Sequence, residues 1–451
     1  MMPAQPSPAR KTFMKSHQIP SLLPLCLFLM FTSTINAQQA GLDEVEQSIV
    51  AWSEAHAEEA IDLIEKSVNI NSGTLNRQGV REVGAMLRPE LDALGFNTRW
   101  VDLPEDMQRG PHLFGKREGD KGKKLLLIGH LDTVFEPDDA FQTFKRDGST
   151  ATGPGAEDMK SGNVIIIYAL KALQHAGVLE GAQIMVAYTG DEEDPGDPIQ
   201  VTRKDLIEAG KWADVALGFE SGVDREGREW ATTARRSSTG WCLEVTGRQA
   251  HSSQIFKPKY GAGAIFEAAR ILNSFYEEVR GEEYLTFNAG TIMGGTETDG
   301  DCVRADGRVF GKTNVIPNRV VVRGGMRTIS DEQMQRARKA MQEVVARHLP
   351  ITDATISFTE GYPAMSPTDG NQALADMLSA INQQLGGQEM PILDVSLRGA
   401  ADISFVAPYT DGLAGMGAYG DGGHTPDESL NLDSIPIAIQ RAAILIYRLS
   451  R

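Results

Sequence analysis

The stretch AQIMVAYTGDEED (residues 182–194) joins an apolar run to a cluster of charge. Residues 182–190 are almost continuously apolar, which is typical of a strand covered on both faces in a mostly parallel sheet. Acidic side chains follow without interruption at 191–194, and like charges at this spacing repel one another. The stretch therefore predicts an α/β fold in which a buried strand ends either in a solvated loop or beside bound positive charge.

The segments on either side repeat this alternation of apolar runs and helical patterns. Further strands are predicted over 123–130 and 213–220, and helices over 43–68, 77–94, 161–177 and 203–210. After residue 330, a capping box of Ser330 and Gln333 precedes a helix at 331–348, and the last helix is predicted near 433–449. Such alternation indicates a mostly parallel central sheet with helical crossovers.

The pattern changes near residue 231, where apolar and polar residues begin to alternate. TGWCLEVTGR (239–248) is a predicted strand, followed by a helix near 260–278 and strands within 287–295 and 313–328. This unit predicts a smaller α+β domain at 233–329, inserted into a larger domain formed by 38–232 and 330–451. A chain of 451 residues is long enough for two such domains.

Residues 1–37 have the composition of a signal peptide. A basic region with Arg10, Lys11 and Lys15 precedes the apolar stretch LLPLCLFLMF (22–31), which is too short to span a bilayer. We expect cleavage after Ala37 and a periplasmic or secreted protein without stable membrane insertion; an uncleaved anchor is the alternative. The net charge of −17 argues against a nucleic-acid partner.

Cys242 and Cys302 are the cysteines that remain after such cleavage. An exported protein can form a disulfide. Two cysteines this far apart in the chain are equally consistent with buried free thiols, so the sequence leaves their pairing open.

Side chains that suit metal binding follow several predicted strands. In an open α/β sheet, ligands bind at the carboxyl ends of the strands. These ends carry His130 and Asp132 in LLLIGHLDTV (125–134), Glu192 and Glu193 in the opening stretch, Glu220 in VALGFES (215–221), and His424 in LAGMGAYGDGGHTPDE (413–428). The glycine-rich loop GPGAEDMKSG (153–162) adds Asp158, and its acidic residues would repel a phosphate.

Each of these features is weak alone, because adjacent acids usually form a solvated loop and an isolated His-x-Asp is more often structural. Together they indicate a metal site. Histidines and carboxylates at one sheet edge form a mixed nitrogen and oxygen site that suits Zn²⁺. Five such ligands with one bridging carboxylate would hold two metals roughly 3.5–4 Å apart. Bound cations would then explain how the acidic run is tolerated.

These motifs, in this order, resemble the zinc-dependent exopeptidases and deacylases that include bacterial glutamate carboxypeptidase, acetylornithine deacetylase and succinyl-diaminopimelate desuccinylase. The resemblance covers nearly the whole mature chain. GHLDTV (129–134) implies His130 as a metal ligand and Asp132 as the carboxylate that orients it. The glycine-rich loop implies Asp158 as the bridging ligand, with a cis peptide bond between Asp158 and Met159.

The resemblance extends to the other metal motifs. GDEED (190–194) implies Glu192 as general base and Glu193 as a ligand. GFES (218–221) implies Glu220 on the metal that His130 binds, and GGHTPDE (422–428) implies His424 beside Glu193 on the other metal. The resemblance thus implies two Zn²⁺ per subunit, with Co²⁺ or Mn²⁺ as alternatives.

The inserted domain carries the similar motifs RQAHSS (248–253), TNVIP (313–317) and GGMRT (324–328). They imply a lid and dimerisation domain in a homodimer, in which His251 donates to the oxyanion, often across the dimer. They also imply Arg327 as a clamp for the substrate carboxylate and Asn314 as its polar neighbour.

The resemblance implies a hydrolase that cleaves a C-terminal amide bond of a peptide or N-acyl amino acid with a free carboxylate. A glutamate-carboxypeptidase-like enzyme is the first expectation, and an N-acyl-amino-acid deacylase is the main alternative. An aminopeptidase or a non-catalytic binding protein is less favoured. SLRGAADIS (396–404) lacks the run of glycines seen in some carboxypeptidases, which leaves the specificity open.

Overall fold

The computed structural model describes residues 41–304 and 306–451. The predicted leader at 1–37 and its cleavage site lie outside these residues. None of the helices in this part of the chain is both long and apolar enough to cross a membrane.

A six-stranded, mostly parallel central sheet forms the larger domain; the sequence predicts its parallel strands but not the two at 97–101 and 112–117. Its strands, in spatial order, are Asn97–Val101, His112–Arg117, Ala182–Thr189, Lys121–His130, Val215–Gly218 and Asp411–Leu413. The last four run parallel to one another, and the second strand is antiparallel to both of its neighbours. His130 pairs with Thr189 on the neighbouring parallel strand, so His130 lies beside the start of the acidic run at 191–194.

Helices cover both faces of the central sheet. They span Glu44–Ala55, Ala57–Val68, Arg77–Ala93, Ser161–His175, Ile199–Thr202, Lys204–Trp212, Asp369–Gln384, Ile403–Val406 and Ser434–Leu449. Along the strand at 121–130, Leu125 and Leu127 join one apolar cluster, whereas Leu126 and Ile128 join the cluster on the opposite face. The continuous apolar run therefore reflects burial on both faces.

The predicted helix at 43–68 is two helices that meet at His56. The His56 ring stacks on Trp52 with ring centroids 4.0 Å apart, and its Nδ1 lies 2.8 Å from the Trp52 carbonyl oxygen. The His56 side chain thus forms a hydrogen bond with a backbone carbonyl in the last turn of the first helix. The helical pattern of apolar residues continues through 43–68, so it did not indicate that the helix is interrupted at His56.

The inserted domain is built on a four-stranded antiparallel sheet. Its strands, in spatial order, are Thr286–Gly295, Arg319–Arg327, Ser238–Gly247 and Thr352–Tyr362. The helices Ala264–Ser274 and Asp331–Val345 pack on one face of this sheet. Trp241, Ile271, Val322 and Met341 belong to the apolar cluster between them.

The predicted boundary at 329/330 is therefore too early. The helix Asp331–Val345 contributes Met334 and Met341 to the core of the inserted domain, and Thr352–Tyr362 pairs with Ser238–Gly247. The inserted domain thus ends at Tyr362. Local sequence signals located this helix correctly but do not specify which sheet a helix packs against.

Cys242 and Cys302 form a disulfide, which answers the question that the sequence left open. Cys242 lies on the strand Ser238–Gly247, and Cys302 lies in the loop between the short paired strands Glu297–Thr298 and Val309–Phe310. The bond fastens this loop to the sheet of the inserted domain.

Small antiparallel elements complete the fold. The strands Gly420–Asp421, Ser429–Asn431, Thr150–Thr152 and Lys145–Asp147 form one sheet, and Val223–Arg225 pairs with Arg228–Trp230. The first of these sheets joins the segment before the glycine-rich loop to the segment that carries His424. It thereby brings two distant parts of the chain to the edge of the central sheet.

Candidate metal centre

Asp158 lies between two histidines from distant parts of the chain. Its Oδ1 is 3.1 Å from Nε2 of His130, and its Oδ2 is 3.2 Å from Nε2 of His424. His130 ends a central strand, and His424 follows the short strand Gly420–Asp421. A carboxylate that offers one oxygen to each side has the geometry of a bridging ligand.

Glu193 extends the cluster on the His424 side. Its Oε2 is 3.1 Å from Nε2 of His424, and its Oε1 is buried without a hydrogen-bond partner among residues 41–304 and 306–451. His130, Asp158 and Glu193 offer ligand atoms that all lie within 4.8 Å of one another. A buried carboxylate oxygen without a donor is costly, so the donor set fits a bound cation.

Glu220 lies on the His130 side of the cluster. It follows the strand Val215–Gly218 and lines a small cavity together with His130. Its Oε2 is 2.6 Å from Nη2 of Arg235 and 3.8 Å from Nη2 of Arg398. No pattern near either arginine in the chain marks it as a partner of Glu220, so neither could be predicted from the sequence.

Asp132 connects one histidine to the acidic pair. Its carboxylate accepts hydrogen bonds from the backbone N–H groups of Glu192 and Glu193, at 2.9 and 3.0 Å, and from the hydroxyl of Thr74 at 2.7 Å. Its Oδ1 is also 3.5 Å from Nδ1 of His130. Such a carboxylate fixes the orientation of a ligating imidazole and of its neighbours.

Glu428 holds the glycine-rich loop, a role that the sequence analysis missed. Its carboxylate accepts hydrogen bonds from the backbone N–H groups of Gly155, Glu157 and Asp158, at 3.0, 2.8 and 3.0 Å. The peptide bond between Asp158 and Met159 is cis, as the resemblance implied. Glu428 ends the GGHTPDE motif, and a carboxylate four residues after a candidate ligand was the available signal.

Arginines compensate the two outer acids of the run at 191–194. Asp191 pairs with the fully buried Arg203, and Asp194 lies 2.6 Å from Arg109. The expectation was that bound cations neutralise part of the run, and the arginines account for its two outer acids. Among the residues that the structure describes, Glu192 and Glu193 form no ion pair with an arginine, so a bound cation would act on this inner pair.

The inner cluster strongly perturbs the protonation of its members. Hydrogen bonds to Asp158 and Glu193 raise the pKa of His424 to about 11. Burial alone would raise the pKa of Asp158, but the hydrogen bonds to the two histidines hold it well below its usual range. Burial raises the pKa of Glu192 well above its usual range, with His130 acting in the opposite direction. The cluster thus attracts positive charge, and burial favours the protonated form of both Glu192 and Glu193.

The remaining predicted residues lie on the inserted domain. His251 is exposed, with Nδ1 2.9 Å from the hydroxyl of Ser253, and the adjacent Ser252 N–H donates to the carbonyl of Asn314. Arg327 ends the strand Arg319–Arg327. Among the described residues, no hydrogen bond or ion pair joins His251, Asn314 or Arg327 to the metal cluster.

A model of peptidase family M20/M25/M40 matches residues 126–448, a range that contains every candidate metal ligand. This chain belongs to that family. It is therefore an enzyme of a metallopeptidase family, as the resemblance implied. Its mixed α/β fold with a mostly parallel central sheet also agrees with that resemblance.

Individual M20 proteins are similar over most of the chain. Carboxypeptidase G2 from Pseudomonas sp. strain RS-16 is 29% identical over 400 residues, which are 86% of this chain and 89% of that protein. A succinyl-diaminopimelate desuccinylase from Cupriavidus necator is 27% identical over 365 residues, or 77% and 88% of the two chains.

Among solved structures, the Bacillus subtilis protein YXEP, a dinuclear metal-binding peptidase of the M20 family, superposes with a TM-score of 0.60 at 15% identity. The match covers 88% of this chain and 99% of YXEP. At this identity the likeness shows the shared fold alone. Metal binding by this M20 chain is indicated by its own cluster of histidine and carboxylates.

Proposed function

We propose that this chain is a di-zinc metallocarboxypeptidase that cleaves the amide bond next to a substrate's C-terminal carboxylate. The observation that carries the proposal is the position of Asp158, which offers one oxygen to His130 and the other to His424. A bridged pair of metals suits hydrolysis of an amide. The similarity to Carboxypeptidase G2 over 86% of the chain supports cleavage at the C-terminal end.

In this proposal, five residues hold the metals and Glu192 moves the proton. His130, Glu220, Asp158, Glu193 and His424 would bind two zinc ions, which polarise the scissile carbonyl and lower the pKa of the attacking water to about 7. Glu192 accepts the proton of that water and donates it to the leaving amine. Glu193 faces the metal site, since its Oε2 lies 3.1 Å from Nε2 of His424, and Glu192 would face the water.

The substrate carboxylate would be held by Arg327, with Asn314 as its polar neighbour. Arg236, which the sequence analysis missed, supports this role. Burial and the charge of Arg327 lower the pKa of Arg236, and Nε of Arg236 is buried without a partner in the described residues. Two adjacent guanidinium groups attract an anion, and their planar fork matches a carboxylate.

A deacylase of N-acyl amino acids is the second candidate, and the similarity to succinyl-diaminopimelate desuccinylase favours it. The test is hydrolysis by the zinc-loaded protein of dipeptides with varied C-terminal residues, of N-acetyl amino acids, and of the amide of the best substrate. We expect the dipeptides to be cut fastest and the amide roughly 10- to 100-fold more slowly, because the clamp loses a charged hydrogen bond. Faster cleavage of acetyl amino acids would favour the deacylase.

Arg327 provides a second arm of the same test. Arg327→Ala should raise KM for the free acid but not further impair the amide, and Arg327→Lys should not restore KM because an ammonium cannot donate in two parallel directions. Cleavage of amides at the rate of free acids would contradict both candidate functions.

We also propose that the enzyme is a homodimer in which His251 of each subunit serves the partner's site as oxyanion donor. The exposed position of His251 supports this role, as do the exposed apolar side chains Ile265, Phe266 and Ile292 on the inserted domain. Mixing inactive His251→Ala and Glu192→Gln subunits should restore activity after subunit exchange, because a hybrid dimer has one intact site. No recovery after verified exchange would contradict action across the dimer.

The disulfide supports export of the mature protein to an oxidising compartment. N-terminal sequencing of the protein recovered from the periplasm or medium should begin at Gln38. Recovery of the intact N-terminus would contradict cleavage.

A further inference from the structure

The two segments that connect the inserted domain to the catalytic domain form a single connection. The chain enters the sheet of the inserted domain at Ser238 and leaves it at Tyr362, and these two residues are paired. Nearby, Arg235 and Met365 donate backbone hydrogen bonds to each other, both at 2.9 Å. The connection is thus a two-stranded junction and not a pair of independent linkers.

Both strands of this junction place a side chain on the catalytic cluster. The entering strand supplies Arg235, which lies 2.6 Å from Oε2 of Glu220. The leaving strand supplies Tyr362, whose hydroxyl donates to the carbonyl oxygen of Glu192 at 2.6 Å. The inserted domain therefore touches one candidate metal ligand and the candidate base directly.

The hydroxyl of Tyr362 is itself held in place. It accepts a hydrogen bond from Nη2 of Arg203 at 2.9 Å, and Arg203 is completely buried between Asp191 and Asp402. The Tyr362 ring packs against Phe405 with centroids 5.0 Å apart. A buried hydroxyl with both a fixed donor and a fixed acceptor has one orientation, so it can define the direction of the carbonyl that it meets.

The backbone of Glu192 is consequently fastened on both sides. Its N–H donates to Oδ1 of Asp132 at 2.9 Å, and its carbonyl accepts from Tyr362. We propose that Tyr362 is a positioning residue, through which the inserted domain fixes the direction of the general base. The inference rests on the proposed role of Glu192. A displacement of about 1 Å at a reacting group can lower a rate by up to 10²-fold, so this hydroxyl affects the catalytic rate without touching the substrate.

Tyr362→Phe is the direct test, because it removes the hydroxyl and keeps the ring that packs on Phe405. We expect kcat per metal-loaded site to fall roughly 10-fold with KM and metal content unchanged. Tyr447→Phe is the matched control. Tyr447 lies on the C-terminal helix, and its hydroxyl accepts from Nη1 of Arg451 at 3.0 Å and donates to Asp43 at 3.3 Å. The control should keep the wild-type kcat.

Backbone hydrogen exchange gives a readout that does not depend on turnover. Peptides covering 189–194 should exchange faster in Tyr362→Phe than in the wild type or in Tyr447→Phe, because the carbonyl of Glu192 has lost its donor. Tyr362→Leu also removes the ring that packs on Phe405, so its thermal denaturation midpoint should be lower than that of Tyr362→Phe. Its kcat per metal-loaded site should equal that of Tyr362→Phe, because both variants lack the hydroxyl.

A wild-type kcat and wild-type exchange in Tyr362→Phe would overturn the inference, as would a loss of rate matched by a loss of metal or equalled by the control. A wild-type protein that cuts none of the substrates would instead contradict the proposed function, and the exchange comparison would still decide whether Tyr362 orders residues 189–194.

Discussion

Glu192 and Glu193 follow one another in the chain, yet the structure gives them different surroundings. Burial raises the pKa of both carboxyls, to about 7 for Glu193 and well above its usual range for Glu192, but Glu193 also lies 3.1 Å from the imidazole of His424, whose hydrogen bond opposes this rise. A ligand must stay ionised, and a general base must accept and release a proton near the working pH. Their different surroundings suit these two tasks.

Glu192→Gln should therefore separate catalysis from metal binding. The amide keeps the size of the side chain but cannot accept the proton, so we expect kcat to fall at least ~10²-fold while zinc content stays at the wild-type level. Glu193→Gln should instead weaken zinc binding. Asp194→Asn is the control in the same run, because Asp194 pairs with Arg109 at the surface. Loss of zinc in Glu192→Gln, or activity close to wild type, would assign Glu192 another role.

The sequence indicated the candidate ligands better than it indicated what holds them. His130, Asp158, Glu193 and His424 were expected together because strand ends converge at one sheet edge, and the structure brings their side chains into contact. Glu428 was missed because it acts on a loop 270 positions away. A compensating partner at such a distance leaves no local pattern in the sequence.

At the scale of elements, periodicity predicted the parallel strands of the central sheet and most helices, because a strand buried on two faces and a helix buried on one face leave different patterns. It missed the strands Asn97–Val101 and His112–Arg117 and the helix Asp369–Gln384. It did not predict that the helix Asp331–Val345 packs in the inserted domain, since an apolar helix face fits either sheet. Periodicity also could not decide whether Cys242 and Cys302 pair, because pairing depends on Cys302 lying beside the strand Ser238–Gly247.

The disulfide should stabilise the inserted domain without contributing to catalysis. Closing a loop of 60 residues restricts the unfolded chain and is worth roughly 4 kcal/mol in the chain-entropy description. We expect the double variant Cys242→Ala/Cys302→Ala to denature at a lower temperature with kcat unchanged. Dithiothreitol should lower the denaturation temperature of the wild type but not that of the variant. An equal effect of reductant on both proteins would show that the bond is not the stabilising feature.

At the scale of the whole molecule, the metal centre joins two parts of the catalytic domain that the inserted domain separates in sequence. His130, Asp158, Glu193 and Glu220 precede the insertion, and His424 follows it. Metal binding that requires both parts adds its binding free energy to the stability of the folded state. Zinc should therefore raise the denaturation temperature of the catalytic domain.

The most direct test of the two-metal centre is a zinc titration of the metal-stripped protein, with bound zinc and hydrolysis of the best dipeptide measured at each point. The bridging position of Asp158 predicts saturation at two zinc ions per chain, with full activity reached only as the second ion binds. Asp158→Asn should lose tight binding of both ions, because one carboxylate serves the two sites. Saturation at one ion per chain with full activity, or two ions retained tightly by Asp158→Asn, would contradict a centre bridged by Asp158.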